Sequence, residues 1–270
     1  MSLAVIGYTG FVGSTVCRQA AVTDVYNSKN IEEVAGRTFD TVICAGAPGA
    51  KWRANQNPDA DLENIGRLIA CLPSVRVKQF ALISTIDVFA NPHGVDEATA
   101  VDPHLLSPYG SHRYYLELSV RGMFPDALIV RLPGLFGQGL RKNFIYDLIN
   151  GGNLHLTHSE SMFQFYNTEK LWADVRVAIA GGLHLVHFAT EPVRAADVAR
   201  FCFGTEFHNR TESPAANYDM RTRFASTFGG SGAYLYSAEY TFSEIARFAD
   251  RSRKERIYEH SHLESRLERT

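Results

Sequence analysis

A chain of 270 residues is long enough for one large α/β unit or for a nucleotide-binding domain with a smaller lobe. Its 45% hydrophobic and 21% charged residues are ordinary values for a folded protein and exclude a wholly disordered chain. The formal net charge of -2 argues against a nucleic-acid or anionic-membrane partner.

The opening residues and the cysteines indicate the compartment. The segment MSLAVIGYTG lacks the basic and apolar regions of a secretory signal, and no apolar run approaches the ~18 residues of a membrane span. The four cysteines have no C-x-x-C spacing, which indicates reduced thiols, and the histidines have no spacing typical of a metal site. We therefore expect a cytoplasmic protein without a metal and without a membrane partner.

Short apolar runs alternate with segments of helical period along the first half of the chain. The runs that predict strands are residues 3–7, 23–27, 41–49, 77–85 and 127–137. The segments that predict helices are residues 11–21, 31–36, 59–72 and 109–124. Strands that alternate with helices in this way predict a parallel sheet with helices on both faces.

The alternation weakens beyond about residue 141. One more strand is predicted at residues 182–189, and amphipathic helices are predicted at residues 194–204 and 241–251. Thr241 and Glu244 have the spacing of a capping box at the start of the last helix. The final twenty residues are dense in both charge signs, which is typical of a solvated helix or a frayed tail.

These elements predict an α/β fold, a Rossmann-type doubly wound parallel sheet with a small C-terminal substrate lobe. We expect residues 1–140 to form an NAD(P)-binding domain and residues 141–270 to form the lobe. Some segments of the second part, at about residues 160–190, are expected to return to the sheet.

Three glycines follow the first predicted strand at three-residue intervals, in the sequence IGYTGFVGS. Glycine allows the positive φ of a tight turn and a close approach of backbone to a pyrophosphate. The helix that follows offers free amide groups and a positive dipole end to phosphates. We therefore predict a dinucleotide site, with a tight turn that binds no ligand as the alternative. Its residues are Gly7, Thr9, Gly10, Phe11, Val12 and Gly13.

This glycine spacing and four later motifs resemble the extended branch of the short-chain dehydrogenase/reductase superfamily, which contains sugar-nucleotide epimerases, dehydratases and reductases. The later motifs, in the family's order, are CAGAPG, NIGRLIACL, LISTIDVF and IVRLPGLFGQG. The resemblance implies that Asn64 braces the central strand. It also implies that two loops contact the coenzyme through Ala45, Gly46, Ala47, Pro133 and Leu135.

The residues after the second strand bear on the choice between NAD and NADP. An acidic residue at this place would bind the ribose hydroxyls of NAD. The chain instead has Asn27, Ser28 and Lys29, which do not repel a 2′-phosphate. This composition favours NADP over NAD, with a merely solvated loop lysine as the alternative reading of Lys29.

The segment SPYGSHRYYLE holds Tyr109 and, one helical turn later, Arg113. The resemblance implies that Tyr109 passes a proton to or from the substrate oxygen and that Arg113 replaces the family's lysine. Ionisation at neutral pH needs the tyrosine pKa lowered by about 3 units, or about 4 kcal/mol. A positive charge about 4 Å away supplies roughly that energy at an effective dielectric of ~20. Arg113 can therefore stabilise the phenolate and hold the nicotinamide ribose, although it cannot relay protons.

The resemblance also implies a catalytic hydroxyl at the end of the fourth strand. This position falls on Thr85, with its neighbour Ser84 as the reserve candidate for substrate contact. A hydroxyl that only satisfies loop backbone is the alternative. Related dehydratases carry an acidic pair just after the hydroxyl, and here only Asp87 is acidic, so a simple ketoreductase fits better.

The C-terminal lobe supplies three further candidates for substrate contact, Asn143, Gln164 and Tyr166. In the family's sugar-nucleotide enzymes an arginine of this region binds the diphosphate, and Phe163 replaces it here. This difference weakens the expectation of a nucleotide-linked sugar. The aromatic residues around Tyr166 can stack on a ring of the substrate or form core.

Two functions follow from these features. The first is an NAD(P)-dependent oxidoreductase or epimerase that acts on a carbonyl or alcohol of a sugar-like small molecule, most simply as a ketoreductase. The second is a catalytically degenerate NAD(P)-binding protein, such as a redox sensor or a structural partner. The resemblance further implies a homodimer that assembles partly through the tyrosine helix. On the same basis, Arg113→Lys restores the family's residue and is expected to keep or raise activity.

Overall fold

The structure is a computed structural model that describes the backbone of residues 2–267 and the side chains as far as residue 255. Its strands are β1 (Leu3–Ile6), β2 (Asp24–Tyr26), β3 (Thr38–Cys44), β4 (Arg76–Thr85), β5 (His93–Val95), β6 (Leu128–Leu132), β7 (Gly134–Phe136), β8 (Met162–Phe163), β9 (Phe165–Asn167), β10 (Leu185–His187), β11 (Val193–Arg194) and β12 (Asp219–Met220). Its helices are α1 (Phe11–Gln19), α2 (Lys51–Gln56), α3 (Pro58–Cys71), α4 (Pro108–Met123), α5 (Phe144–Asn150), α6 (Leu171–Ala180), α7 (Ala195–Phe203) and α8 (Ala238–Leu267).

A six-stranded parallel sheet forms the centre of the molecule, with the strands in the order β2, β1, β3, β4, β6 and β10. The order reverses at β1, because β2 lies on one side of it and every later strand on the other. The connection from β2 to β3, residues 27–37, holds only a short 3₁₀ turn, Ile31–Val34. The sheet therefore ends at β2, whereas a 3-2-1-4-5-6 sheet has one more strand at this edge.

Helices cover both faces of the sheet. Along β1, Ala4 and Ile6 pack on the α3 and α4 side, whereas Leu3 and Val5 pack on the α1 and α6 side. Successive side chains of a strand point to opposite faces, so a strand buried on both sides is apolar throughout. This arrangement confirms the predicted α/β class and the doubly wound parallel sheet.

The residues after 141 form a smaller cluster and also rejoin the sheet. Apolar residues of α5, α7 and α8 pack together in a core of their own. Strand β10 pairs with β6 at the edge of the central sheet, and α6 packs on the same face as α1. Two short pairs, β7 with β9 and β5 with β12, link the early and late parts of the chain.

The last helix differs from the prediction at its start. Helix α8 begins at Ala238, where the hydroxyl of Ser237 accepts a hydrogen bond from the amide of Tyr240 at 3.2 Å. Thr241 lies inside the helix and is buried, so the predicted capping box is wrong. The backbone is helical as far as Leu267, and the exposure expected of the final side chains lies outside the described residues. No helix in the part of the chain described is long and apolar enough to cross a membrane.

Candidate active site

Most of the predicted site residues come together at one edge of the sheet, where the parallel strands end. Ligands of doubly wound sheets bind at this edge, next to the point where the strand order reverses. Here that point lies between β1 and β3. The segments found there are residues 7–13 after β1, 27–29 after β2, 45–47 after β3, 85–87 at the end of β4 and 133–135 after β6.

The glycine turn between β1 and α1 is tightly packed on itself. Gly7 has a φ of 86°, and its amide donates to the carbonyl of Tyr26 at 2.7 Å. A β carbon on Gly13 would lie 2.2 Å from the carbonyl oxygen of Gly7, so α1 can start this close to β1 only with glycine. Gly10 at the start of α1 offers no side-chain cap, which leaves the first amide groups of the helix without a side-chain acceptor. This turn fits the pyrophosphate of a dinucleotide.

The remaining residues of this turn differ in exposure. Thr9 and Gly10 are exposed, and Phe11 and Val12 are half-buried. A ligand can therefore reach the backbone of the turn directly.

The loop after β3 packs directly against the glycine turn. A β carbon on Gly7 would lie 2.3 Å from the carbonyl oxygen of Ala45, and one on Gly46 would lie 3.1 Å from the side chain of Ile6. Ala45, Gly46 and Ala47 are partly exposed. The two loops therefore meet, and together they can hold one ligand.

The turn after β2 is shaped by two asparagine side chains. Asn30 accepts a hydrogen bond from the amide of Asn27 at 2.8 Å, and Asn27 accepts one from the amide of Lys29 at 2.8 Å. Ser28 and Lys29 are exposed. Arg67 of α3 donates to the carbonyl of Ser28 at 3.3 Å. The turn therefore has two cations beside it, Lys29 and Arg67.

Helix α4 begins against the end of β4. Its first residue is a proline, and the hydroxyl of Ser107 accepts from the amide of Gly110 at 3.4 Å. The side-chain oxygen of Asn55, on α2, accepts from the amide of Tyr109 at 3.0 Å. A β carbon on Gly110 would lie 2.2 Å from the carbonyl oxygen of Asp87, so the helix touches the turn after β4. These contacts place Tyr109 beside Thr85.

The side chain of Tyr109 is buried, 7% exposed, and lies near the hydroxyl of Thr85. Thr85 also accepts from the amide of Asp87 at 3.2 Å. Burial raises the pKa of Tyr109, and Arg113, Thr85 and Lys51 oppose this rise while Asp87 adds to it. Because burial prevails, the pKa lies above its ordinary value of about 10, and the expectation of a lowered pKa is wrong.

Arg113 is held by groups of the protein itself. It is 3% exposed, its guanidinium carbon lies 4.1 Å from the centre of the Tyr109 ring, and its two terminal nitrogens pair with the carboxylate of Asp61 on α3. It also donates to the carbonyl of Pro48 in the loop after β3. The guanidinium therefore joins α4, α3 and the predicted coenzyme loop, in place of the free, cleft-facing cation that the sequence suggested.

Asp61 has a second side-chain partner. Nδ1 of His112 lies 2.8 Å from its carboxylate. Burial alone would raise the pKa of Asp61, but the hydrogen bonds from Arg113 and His112 prevail and hold the pKa below its ordinary value. Asp61 is therefore an ionised anchor for the tyrosine helix.

Asp87 lies between Thr85, the neighbour of Tyr109, and a small cleft. Its Oδ1 atom lies 2.6 Å from Nζ of Lys51, on α2, and its Oδ2 atom lies 3.4 Å from the hydroxyl of Thr85. Burial opposes the charge of Lys51, but Asp87 prevails and raises the pKa of the lysine. The cleft measures about 220 Å³, and its walls include Lys51, Asp87, Phe89, Pro92, Ser107 and Tyr218.

Ser84 does not face this cleft. It is 8% exposed, and its hydroxyl donates to the carboxylate of Glu117 at 2.6 Å. The same carboxylate is paired with Arg131 at 2.7 Å, and both partners are buried. Since the hydroxyl belongs to a buried network that joins β4, α4 and β6, the prediction of Ser84 as a substrate residue is wrong.

The side chains of the segment after β6 are also largely buried. Pro133 is buried, and Leu135 is partly buried against the core on the α1 and α6 side. The side chain of Asn143 accepts from the amide of Tyr146 at 3.1 Å and donates to the carbonyl of Leu135 at 2.8 Å. Asn143 therefore caps α5 and fixes the segment before it, which disagrees with a substrate-binding role for its amide group.

Gln164 and Tyr166 are interior residues. Gln164 is 2% exposed, and its side-chain amide group is hydrogen-bonded to backbone groups of Thr190 and Met220. Tyr166 is fully buried, and its hydroxyl donates to the carboxylate of Asp174 at 2.6 Å. Both polar groups are satisfied inside the protein, so the prediction that they contact substrate is wrong.

Residues of this site that were not found from the sequence include Lys51, Asn55, Asp61 and Tyr218. Asn64, predicted to brace the central strand, is exposed and donates to the carbonyl of Ala60 in its own helix. A signal for Asp61 does exist in the sequence. It precedes Ile65 by four positions and therefore lies on the buried face of α3.

Comparisons with known proteins agree with this fold. No family model matches the sequence, and no curated protein matches it significantly. Solved structures do match it. A dTDP-4-dehydrorhamnose reductase from Clostridium acetobutylicum superimposes with a TM-score of 0.71 at 20% identity, covering 93% of this chain and 99% of its own.

Two further structures are similar over the same extent. A UDP-glucose 4-epimerase from Thermotoga maritima, solved with UDP-glucose, has a TM-score of 0.73 at 14% identity and covers 94% of this chain and 99% of its own. A dTDP-glucose 4,6-dehydratase from Streptomyces venezuelae, solved with NAD, has a TM-score of 0.71 at 16% identity and covers 96% and 98%. The chain therefore has the fold of the sugar-nucleotide reductases, epimerases and dehydratases.

Proposed function

We propose that this protein is an NAD(P)-dependent oxidoreductase that transfers hydride between nicotinamide and a carbonyl or alcohol of a small sugar-like substrate, most simply as a ketoreductase. The observation that carries the proposal is the pair of neighbouring hydroxyls of Tyr109 and Thr85, which lies at the same sheet edge as the glycine turn. Two hydroxyls next to a dinucleotide site are the groups that a carbonyl reduction needs.

The coenzyme would lie across the turns after β1 and β3. The amide groups at the start of α1 would hold the pyrophosphate, and Gly7 and Gly13 keep the turn compact enough for that contact. Pro133 and Leu135, which follow β6, are the proposed neighbours of the nicotinamide. Relatives in fold have been solved with NAD and with NADP.

NADP is the favoured coenzyme because of the two cations at the turn after β2. A 2′-phosphate placed there would meet Lys29 and Arg67. We expect Lys29→Ala to weaken NADPH binding by about tenfold and to leave NADH binding unchanged, since a single charge-assisted hydrogen bond contributes about 1.4 kcal/mol. Fluorescence titration with both coenzymes checks this, and an equal loss for both would contradict the choice of NADP.

The reaction would use the two hydroxyls in different ways. The bound nicotinamide supplies or accepts the hydride. The hydroxyl of Thr85 would orient the substrate oxygen, and the phenol of Tyr109 would donate a proton to it. Because burial raises the pKa of Tyr109, the phenol stays protonated at neutral pH, which suits the reduction of a carbonyl better than the oxidation of an alcohol.

The cleft beside Asp87 is the proposed place of the substrate. Ser107, Asp87 and Lys51 offer hydrogen-bonding groups, while Phe89 and Tyr218 offer aromatic walls. This mixture suits a hydroxylated compound of the size of a sugar. A nucleotide attached to the sugar, as in the substrates named for the similar structures, is a finer proposal that the replacement of an arginine by Phe163 makes weaker.

One observation favours the second function, an NAD(P)-binding protein without turnover. Arg113 is engaged by Asp61 and Pro48 and is thereby drawn away from the role of the family's lysine. A protein of this kind would bind the coenzyme tightly and would be indifferent to the loss of the Tyr109 hydroxyl.

A panel of sugar ketones and aldehydes, followed by the absorbance of the reduced nicotinamide, separates the two functions. We expect turnover that falls by about 10²–10⁴-fold in Tyr109→Phe, because the phenol is the proton donor, with coenzyme binding retained. Tyr115→Phe is the matched control, since Tyr115 is 48% exposed on the same helix. Tight coenzyme binding without turnover on any carbonyl would establish the second function instead.

A further inference from the structure

Helix α2 brings two polar side chains to the start of the tyrosine helix. Lys51 and Asn55 are one helical turn apart and lie on the same face of α2. Asn55 accepts the hydrogen bond of the Tyr109 amide, and Lys51 reaches Asp87 with an Nζ to Oδ1 distance of 2.6 Å. The position of the lysine is therefore fixed by the same helix that fixes the tyrosine.

Asp87 stands between this lysine and the proposed proton donor. Its second oxygen lies 3.4 Å from the hydroxyl of Thr85, and that hydroxyl lies near the phenol of Tyr109. Thr85 and Asp87 thus lie between the buried phenol and the half-exposed side chain of Lys51.

Arg113 has a different situation. Both of its terminal nitrogens are engaged by Asp61 and the carbonyl of Pro48, so its charge is balanced by a buried carboxylate and its position is locked. It also keeps its proton throughout the accessible pH range. The other two charges that act on Tyr109 are those of Lys51 and Asp87.

We propose that Lys51, held by Asp87 in the wall of the cleft, is a positioning residue that acts on the hydroxyl of Tyr109 and takes over part of the role of a lysine one turn after the tyrosine. This inference rests on the proposed function for its catalytic meaning. The effect of the ion pair between Lys51 and Asp87 on the pKa of the Tyr109 phenol does not depend on whether the protein turns over a substrate.

The groups around Tyr109 come from three elements and differ in sign. Arg113 lies on its own helix, Asp87 lies in the turn after β4, and Lys51 lies on α2 with Tyr218 as its second neighbour. Lys51 favours the phenolate and Asp87 opposes it. Removing the lysine must therefore raise the pH at which Tyr109 ionises, and removing the carboxylate must lower it.

Fluorine NMR of protein labelled with difluorotyrosine measures this ionisation directly, because fluorination makes the phenol more acidic and brings it into a convenient range. The Tyr109 resonance is the one that disappears in Tyr109→Phe. We expect the titration midpoint to move upward by about one pH unit in Lys51→Met and downward by a similar amount in Asp87→Asn. Lys51→Arg keeps the charge and is expected to restore the midpoint of the unaltered protein.

Lys78→Met is the matched control. Lys78 pairs with Asp40 at 2.6 Å, the same distance as in the Lys51 pair, but it lies at the other end of β4. The strand rises about 3.3 Å per residue, so Lys78 is about 23 Å from Thr85 along the strand. Equal midpoints in Lys51→Met and Lys78→Met, or shifts of the same sign in Lys51→Met and Asp87→Asn, would overturn the proposal.

The experiments distinguish a failure of the proposed oxidoreductase function from a failure of the proposed role of Lys51. Absence of turnover on the carbonyl panel would end the proposed function, and the fluorine titration would still decide the role of Lys51. With turnover, the pH at which the rate of alcohol oxidation is half-maximal is expected to follow the same order, Lys51→Met above the unaltered protein and Asp87→Asn below it. A rate profile that ignores both substitutions would overturn the role of Lys51 and leave the oxidoreductase itself intact.

Discussion

At the scale of single residues, Arg113 shows both the reach and the limit of sequence spacing. The four-residue interval correctly places it on the same side of α4 as Tyr109, because residues one turn apart share a helix face. Its partner Asp61 is 52 positions away in the sequence, and spacing gives no information on such a pair. The same holds for the hydrogen bond between Ser84 and Glu117, 33 positions apart.

The anchoring of Arg113 reverses the expectation for Arg113→Lys. A lysine has one nitrogen where the guanidinium serves both Asp61 and the carbonyl of Pro48, so one buried acceptor loses its partner. We expect Arg113→Lys to lower the free energy of unfolding by about 1–3 kcal/mol, measured by urea denaturation. Arg121→Lys, at an exposed position near the end of the same helix, is the control with no change expected. Equal unfolding free energies for the two variants would contradict the anchoring role.

The pKa of Asp61 predicts a dependence of stability on pH. A carboxyl whose pKa is lowered by folding stabilises the protein above its unfolded pKa of about 3.9, and this contribution is lost as pH falls through the folded pKa. Asp61→Asn leaves Arg113 without its counter-ion and is expected to cost about 3 kcal/mol at pH 7. The difference from the unaltered protein should shrink when unfolding is measured near pH 3. A difference that stays constant between the two pH values would contradict the ionised pair.

At the scale of elements, the glycine turn makes the most specific prediction. In Gly13→Ala the new β carbon would meet the carbonyl of Gly7 at 2.2 Å, and we expect a loss of about 3 kcal/mol in unfolding free energy. In Gly10→Ala the nearest atom would be 3.3 Å away, so the fold should persist while coenzyme affinity falls at least tenfold. Thermal unfolding and coenzyme titration of the two variants test this, and equal stability of both would show that the turn is looser than described.

Strands and helices could be predicted from the local spacing of apolar residues, whereas the roles of individual polar side chains could not. The apolar runs identify the strands of the central sheet because a strand buried on both faces is apolar throughout. Tyr166 and Gln164 lie in a segment whose polar and aromatic residues look like a binding surface, yet both are satisfied in the interior. Whether a polar residue faces a ligand or a buried partner depends on tertiary packing, which the spacing of residues in one segment does not contain.

At the scale of the whole molecule, the doubly wound sheet follows from the alternation of strands and helices, but the strand order does not. The short connection between β2 and β3 contains no strand, so the sheet has no further strand beyond β2 at this edge. The pairing of β3 with β1 shows this strand order, which the sequence pattern does not contain. We propose the division at about residue 140 into a coenzyme-binding domain and a substrate lobe, with β10 and α6 returning to the sheet. The four cysteines are free thiols.

A homodimer is the assembly that we propose. Leu62 on α3 and Tyr115 and Leu118 on α4 are each more than 40% exposed, and the two helices lie side by side on one face of the sheet. Burial of such side chains against a second copy is a common use of exposed apolar residues. Light scattering after size-exclusion chromatography is expected to give twice the chain mass for the unaltered protein and a single chain mass for Leu118→Glu. A monomeric unaltered protein would contradict this assembly.

Isothermal titration calorimetry with NADPH and NADH decides whether the glycine turn binds a nicotinamide dinucleotide. We expect one site per chain with a dissociation constant in the micromolar range, roughly -8 kcal/mol, tighter for NADPH and weakened in Gly10→Ala. Absence of binding by either coenzyme at millimolar concentration would contradict this expectation.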